Sequence, residues 1–198
     1  MLKKIFMKNS DENDNTDSKR SSCMGFVIDT VETILLALVL FLVINALSAR
    51  VRVENVSMKP TLQPGEFLLV NRVAHKLGEP DIGHIVVFHA PGGSELDYIK
   101  RVIGLPGDEV RVEAGTVFVN DQPLYESYIA EQPNYTGSWT VPSESYFVLG
   151  DNRNNSSDSH LWGFVPEEDL VGRALLIYWP LDQFTLLRNP NIVQAVQE

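Results

Sequence analysis

Val53-Glu54-Asn55-Val56-Ser57-Met58-Lys59-Pro60-Thr61-Leu62 divides this chain into two unlike parts. A long apolar run precedes it, and short strand-like runs follow it. Pro60 cannot continue a helix or a central strand, and it disfavours helical geometry in the residue before it. Ser57 is therefore expected at the end of an extended segment, in a turn, with its hydroxyl exposed. A serine hydroxyl is inert until a nearby base takes its proton, and no histidine-containing protease signature surrounds this one. On these ten residues alone, an ordinary turn serine is the better reading.

Upstream, residues 33–49 carry no charged side chain, and the core of this run is Ile34-Leu35-Leu36-Ala37-Leu38-Val39-Leu40-Phe41-Leu42-Val43-Ile44. At about 1.5 Å per helical residue this is the short end of a membrane span. Gly25 to Glu32 can extend it into the headgroup region, where Asp29 and Glu32 would share one helix face. Lys3, Lys4, Lys8, Lys19 and Arg20 precede the span, and only Arg50 and Arg52 follow it closely. By the positive-inside rule the N-terminus is cytoplasmic and the remainder lies outside, with a single crossing of the cytoplasmic membrane. A rival is an export signal cut after Ser48, since Ala46 and Ser48 are both small. The long, partly acidic N-terminal region argues for an anchor instead. The expected layout is a polar, disordered tail over 1–24, a transmembrane anchor over 25–49, an extracytoplasmic domain over 50–180 and a C-terminal tail over 181–198.

Downstream the periodicity becomes that of strands. Residues 66–72, 84–89 and 98–103 are short β-branched or aromatic runs bounded by Gly, Pro and Asp. Residues 108–112 and 116–120 alternate cleanly around Glu113-Ala114-Gly115, a hairpin signal. Residues 145–149 and 174–179 supply further strands, and 71–83 leave room for one helical turn. The expected fold class is mainly β: a transmembrane helix followed by a folded-over, β-barrel-like domain. The Tyr-, Pro- and Gly-rich stretch from Asn120 to Pro142 reads as a small inserted loop subdomain.

From Arg50 onward there are 11 basic and 20 acidic residues, a net charge of −9. A domain this acidic repels nucleic acid, which excludes that partner class. The single cysteine, Cys23, excludes an internal disulfide framework. His75, His84, His89 and His160 lack ligand spacing with one another or with cysteine, so no metal site is expected. No phosphate-binding glycine loop is present, and no cofactor is expected. The oligomeric state stays open.

Two further blocks carry chemistry. In Asp97-Tyr98-Ile99-Lys100-Arg101-Val102-Ile103-Gly104-Leu105-Pro106-Gly107-Asp108, an extended strand puts Tyr98, Lys100 and Val102 on one face. If that face is inward, desolvation lowers the lysine pKa towards the range of a general base. If it is outward, Lys100 and Arg101 are two solvated cations. The other block, Gly150-Asp151-Asn152-Arg153-Asn154-Asn155-Ser156-Ser157-Asp158-Ser159, is at its plainest a polar loop whose side chains satisfy its own backbone.

These three blocks, in this order after an apolar segment, resemble the bacterial type I signal peptidases, a family of membrane-anchored Ser-Lys endopeptidases. The resemblance covers roughly Ser57 to Pro180 plus the apolar segment. It implies that Ser57 is the nucleophile, Lys100 the base, Met58 an apolar neighbour of the site and Ser156 the serine that hydrogen-bonds the lysine. Asp158 corresponds to the acid of a nearby structural ion pair. The arginine usual two residues further on is His160 here, so either His160 or Arg153 is expected to partner Asp158. At Asn55, where many members have a serine that joins the Ser57 N–H in the oxyanion hole, the Asn amide is a candidate donor. The implied substrates are signal peptides of exported preproteins, cut after a small-x-small site at the bilayer surface. Rival functions are a processor dedicated to one substrate class and a catalytically silent, membrane-tethered peptide-binding β domain. A self-cleaving repressor-type Ser-Lys protease is disfavoured by the anchor and the acidic charge.

Overall fold

The computed structural model describes residues 14–73, 80–92 and 96–190. Its contacts separate a unit over residues 1–46 from a second over 47–198. In the first, helix α1 (Asp14–Leu47) begins eleven residues before the expected anchor. Once an apolar run nucleates a helix, each flanking residue adds a hydrogen bond, so the helix propagates into polar sequence. The span Gly25–Leu47 has a mean hydropathy of 2.5, and its side chains are exposed. Thr30 and Thr33 donate their hydroxyl hydrogens to the carbonyls of Phe26 and Asp29, at 2.7 and 2.8 Å, so neither hydroxyl is left unpaired.

The second unit opens directly with β1 (Ser48–Arg52), so the sheet starts two residues before the expected domain boundary. Strands β2 (Phe67–Asn71), β3 (Ile85–His89), β4 (Asp97–Gly104), β9 (Ser145–Leu149), β10 (Val165–Pro166) and β11 (Leu170–Trp179) complete the path β1-β2-β11-β3-β4-β9-β10. All pairings are antiparallel. The ends of this path are not paired among the described residues, so the barrel-like expectation becomes an open, folded-over sheet.

Strands β5 (Glu109–Glu113), β6 (Thr116–Val119), β7 (Gln122–Pro123) and β8 (Gly137–Thr140) form a second sheet in the order β7-β6-β5-β8. The β5–β6 hairpin closes through Ala114 and Gly115, both at positive φ, the twist that a two-residue turn needs. The stretch expected as an inserted loop therefore contributes two strands, β7 and β8. The segment expected as a C-terminal tail also contributes a strand, because β12 (Thr185–Leu186) pairs with β11. The helical turn expected within 71–83 falls largely on 74–79, outside the described residues.

Three apolar clusters explain why the centre of the large sheet is dry. Ile85 and Val87 of β3 face a cluster holding Val53, Met58, Leu62 and Leu68, while Val86 and Phe88 face one holding Val102, Tyr146 and Val148. A third joins Ile103, Phe147 and Leu149 to Val110, Val112, Val117 and Val119 of the small sheet. Each buried Leu, Val or Phe contributes about 1.5–3 kcal/mol by leaving water. Both faces of β4 are covered from Lys100 onward. The alternative of two solvated cations on an outer strand is thereby excluded.

Candidate active site

Ser57 opens a turn in which Lys59 N–H donates to the Val56 carbonyl at 3.1 Å and Leu62 N–H to the Met58 carbonyl at 2.9 Å. Met58 and Leu62 are fully buried in the core, as expected for Met58. They fasten the turn to the sheet and leave Ser57 half-buried above it. Asn55 and Val56 lie in a bend, not in an extended segment. Asn55 is exposed and forms no hydrogen bond among the described residues.

Lys100 is 4% exposed. Its Nζ donates to Ser57 Oγ at 2.9 Å and to the Ile99 carbonyl at 3.2 Å. It also lies 5.2 Å from the centre of the Tyr98 ring. Among the described residues no carboxylate is within hydrogen-bonding reach of it. Burial lowers its pKa from 10.5 to about 8, against the opposing pull of the Asp158 and Asp151 charges. A neutral amine then carries a lone pair aimed at a hydroxyl, which is the geometry for proton transfer.

The third block closes the site from the other side. Asn152 N–H donates to the Ser57 carbonyl at 2.9 Å, and its side-chain amide to the Val56 carbonyl at 3.1 Å. Gly150 permits this approach: a Cβ there would stand 2.5 Å from the Ser57 carbonyl oxygen and 2.2 Å from Ser156 Oγ. Ser156 Oγ is buried and has no hydrogen-bond partner among the described residues. The bond from Ser156 to Lys100 that the resemblance implied is thus not formed here, because Nζ is already directed at Ser57 and Ile99.

Asp158 is fully buried. One oxygen takes the Gly150 N–H at 2.9 Å, and the other lies 2.6 Å from Nδ1 of His160. The His160 ring stacks on Tyr135 at 4.0 Å. Of the two candidate partners for Asp158, the structure joins His160. Arg153 pairs instead with Glu126 through two bonds of 2.7 and 2.6 Å. That pair ties the third block to the loop before β8, and the glutamate raises the already high Arg153 pKa further against the effect of burial.

Sequence reasoning passed over Asp151, Thr61, Glu126 and Tyr128. Arg101 donates to both oxygens of Asp151, at 2.8 and 2.6 Å, and to the Gly83 carbonyl at 2.7 Å. Thr61 Oγ1 donates to Asp151 as well. Tyr128 lies 4.0 Å beneath the Arg101 guanidinium and donates to Glu126, and burial with that glutamate raises its pKa. The only sequence signal for these contacts was an acid and an arginine in adjacent motif blocks, which says nothing about distance. Among the described residues no cluster of His, Cys, Asp and Glu is placed to hold a metal ion.

Residues 26–179 match the family described as signal peptidase, peptidase S26, and the chain belongs to that family. It is 44% identical over 173 residues to a protein of Synechocystis sp. named "Probable signal peptidase I-2", over 84% of this chain and 79% of that one. It is 42% identical over 174 residues to signal peptidase I of Leptolyngbya laminosa, over 83% of this chain and 85% of that one. It is 36% identical over 172 residues to signal peptidase IB of Staphylococcus aureus, over 77% of this chain and 89% of that one.

Proposed function

We propose that this chain is a membrane-anchored serine endopeptidase that removes signal peptides from exported preproteins, with Ser57 as nucleophile and Lys100 as its base. The observation that carries the reading is the 2.9 Å contact between Ser57 Oγ and a buried lysine whose pKa is lowered to about 8. Neutral Lys100 takes the Ser57 proton as Oγ attacks the carbonyl before the cut. The Ser57 N–H and the Asn55 amide, which has no partner within the described chain, donate to the oxyanion. Protonated Lys100 gives its proton to the leaving amine. Lys100 then takes a proton from the water that opens the acyl-enzyme, and Ser57 leaves with its hydroxyl restored.

Asp158, paired with His160, acts on Lys100 through its charge, and the unpartnered Ser156 hydroxyl is the group the family resemblance assigns to orient that lysine. The apolar helix keeps enzyme and signal peptide in one bilayer, which raises their effective concentration. The basic residues before that helix favour a cytoplasmic N-terminus and an extracytoplasmic domain beyond a single span. The layout proposed is a tail over 1–24, an anchor over 25–49 and a peptidase domain over 50–180. The test is cleavage of a generic preprotein by purified full-length protein in detergent. Mature-size product is expected from wild type and none from Ser57→Ala or Lys100→Ala. Unchanged cleavage by Lys100→Ala would overturn the reading.

A further inference from the structure

Asn side chains in turns commonly bond to backbone nearby, but Asn152 reaches out of its own loop. Its Nδ2 donates to the Val56 carbonyl at 3.1 Å, 96 residues away along the chain, and its backbone N–H to the Ser57 carbonyl at 2.9 Å. These carbonyls belong to the two peptide planes that flank the Ser57 Cα. Rotations of those planes are the φ and ψ of the nucleophile, so one residue holds both. Lys59 N–H, at 3.1 Å, fills the second acceptor position of the Val56 carbonyl.

The Val56 carbonyl and the Ser57 N–H are the two ends of one peptide group. Donation into the carbonyl draws electron density from the nitrogen and makes the N–H a stronger donor, as along any hydrogen-bonded chain. That N–H has no hydrogen-bond partner among the described residues. It is the backbone donor that an oxyanion beside Ser57 would use.

Asn152 is itself held from both sides. Before it, Asp151 is bound through both carboxylate oxygens by buried Arg101, the residue directly after Lys100. After it, buried Arg153 binds Glu126 through two bonds and donates from Nε to the Gly150 carbonyl at 3.2 Å. The backbone of the nucleophile is thereby tied to the strand that carries the base.

We propose that Asn152 is a positioning residue for the oxyanion donor. Its amide fixes and polarises the Val56–Ser57 peptide so that the Ser57 N–H meets the charge developing on the scissile carbonyl. The role rests on Ser57 being the nucleophile. It differs from that of Asn55, whose amide would meet the oxyanion directly.

The test uses full-length wild type, Ser57→Ala, Asn152→Ala and Asn152→Asp in detergent. It reads kcat and KM on a preprotein, and the Ki of a peptide aldehyde ending in alanine. Ser57 Oγ adds to the aldehyde carbon while its proton passes to Lys100, which leaves an alkoxide in place of the oxyanion. Asn152→Ala removes the side-chain bond and keeps the backbone one. Its kcat is expected to fall about 5- to 10-fold, with KM little changed and the aldehyde Ki raised by a similar factor. Asn152→Asp, of the same shape, is expected to fall further, because its carboxylate has no hydrogen for the Val56 carbonyl and repels the oxyanion. It also carries the test should the alanine variant not fold. Wild-type kcat and aldehyde Ki in the folded variants, or a change in melting temperature alone, overturns the proposal. Cleavage by Ser57→Ala at the wild-type rate instead overturns the peptidase reading on which it rests.

Discussion

Lys100 and Arg101 are neighbours on β4, 4% and 2% exposed, yet the two sides of the strand treat their charges in opposite ways. Beside Arg101, both oxygens of Asp151 are in place, the Gly83 carbonyl accepts a third bond, and the centre of the Tyr128 ring lies 4.0 Å from the guanidinium carbon. Among the described residues Lys100 has only a hydroxyl and a carbonyl as hydrogen-bond partners, with the Tyr98 ring centre 5.2 Å away. Taking a cation out of water is costly, and a paired carboxylate offsets much of that cost where neutral oxygens do not. Arginine cannot relieve the cost by losing its proton, whereas lysine can. Burial alone therefore does not make a base; burial without a counter-charge, on a group able to deprotonate, does.

The sharpest way to break this contrast is to exchange the chemistry at position 100. Lys100→Arg keeps the charge and cannot deprotonate, so cleavage should fall by roughly 10³-fold or more, as should cleavage by Ser57→Ala. Substantial activity in Lys100→Arg, measured as initial rate on a preprotein, would show that another group is the base. In wild type, kcat/KM should climb with pH through about 8 as Lys100 releases its proton. The same shift carries a stability consequence. The lysine pKa is lower folded than unfolded, so the cost of its buried charge is full below about 8 and fades as pH rises towards 10.5. Stability should rise across that window, and denaturant midpoints of Lys100→Met should lack the rise.

Next in size is the compensated side. Asp151→Ala leaves Arg101 buried and unpaired, which should destabilise the fold by about 3–5 kcal/mol in denaturant melts. A loss under 1 kcal/mol would mean that Tyr128 and Gly83 satisfy the guanidinium unaided, and the contrast with Lys100 would collapse.

The oxyanion donors sharpen the picture on the substrate side of Ser57. As a donor, Asn55→Ala should lower kcat by about 10²–10³-fold with KM little changed, and Asn55→Ser should recover part of it. Asn55→Asp should be the poorest of the three because a carboxylate repels the developing charge. Wild-type activity in Asn55→Asp would exclude the role.

The smallest effect belongs to Asp158, whose charge has a neighbour but a modest one. His160→Ala removes the ring and its stacking on Tyr135, and should lower stability by about 1–2 kcal/mol. His160→Arg should retain it. An arginine variant clearly less stable than alanine in thermal melts would refute the His160–Asp158 partnership.

Much of this was legible in the residues themselves. Strand alternation around Glu113-Ala114-Gly115, the break at Pro60 and the uncharged run over residues 33–49 are local patterns, and local steric and solvation rules read them directly. The motif blocks around Ser57, Lys100 and Gly150 were legible for a different reason, since they match a family. Strand order, the second sheet built from β5 to β8 and the start of α1 at Asp14 were not legible, because neighbours across a sheet are set by packing and not by spacing along the chain. The same holds at the site. Adjacent residues in sequence point to opposite faces of a strand, so Lys100 and Arg101 look alike in the chain. Only the folded structure, by bringing Asp151 from 50 residues away to one of them and a lone hydroxyl to the other, decides which cation keeps its proton.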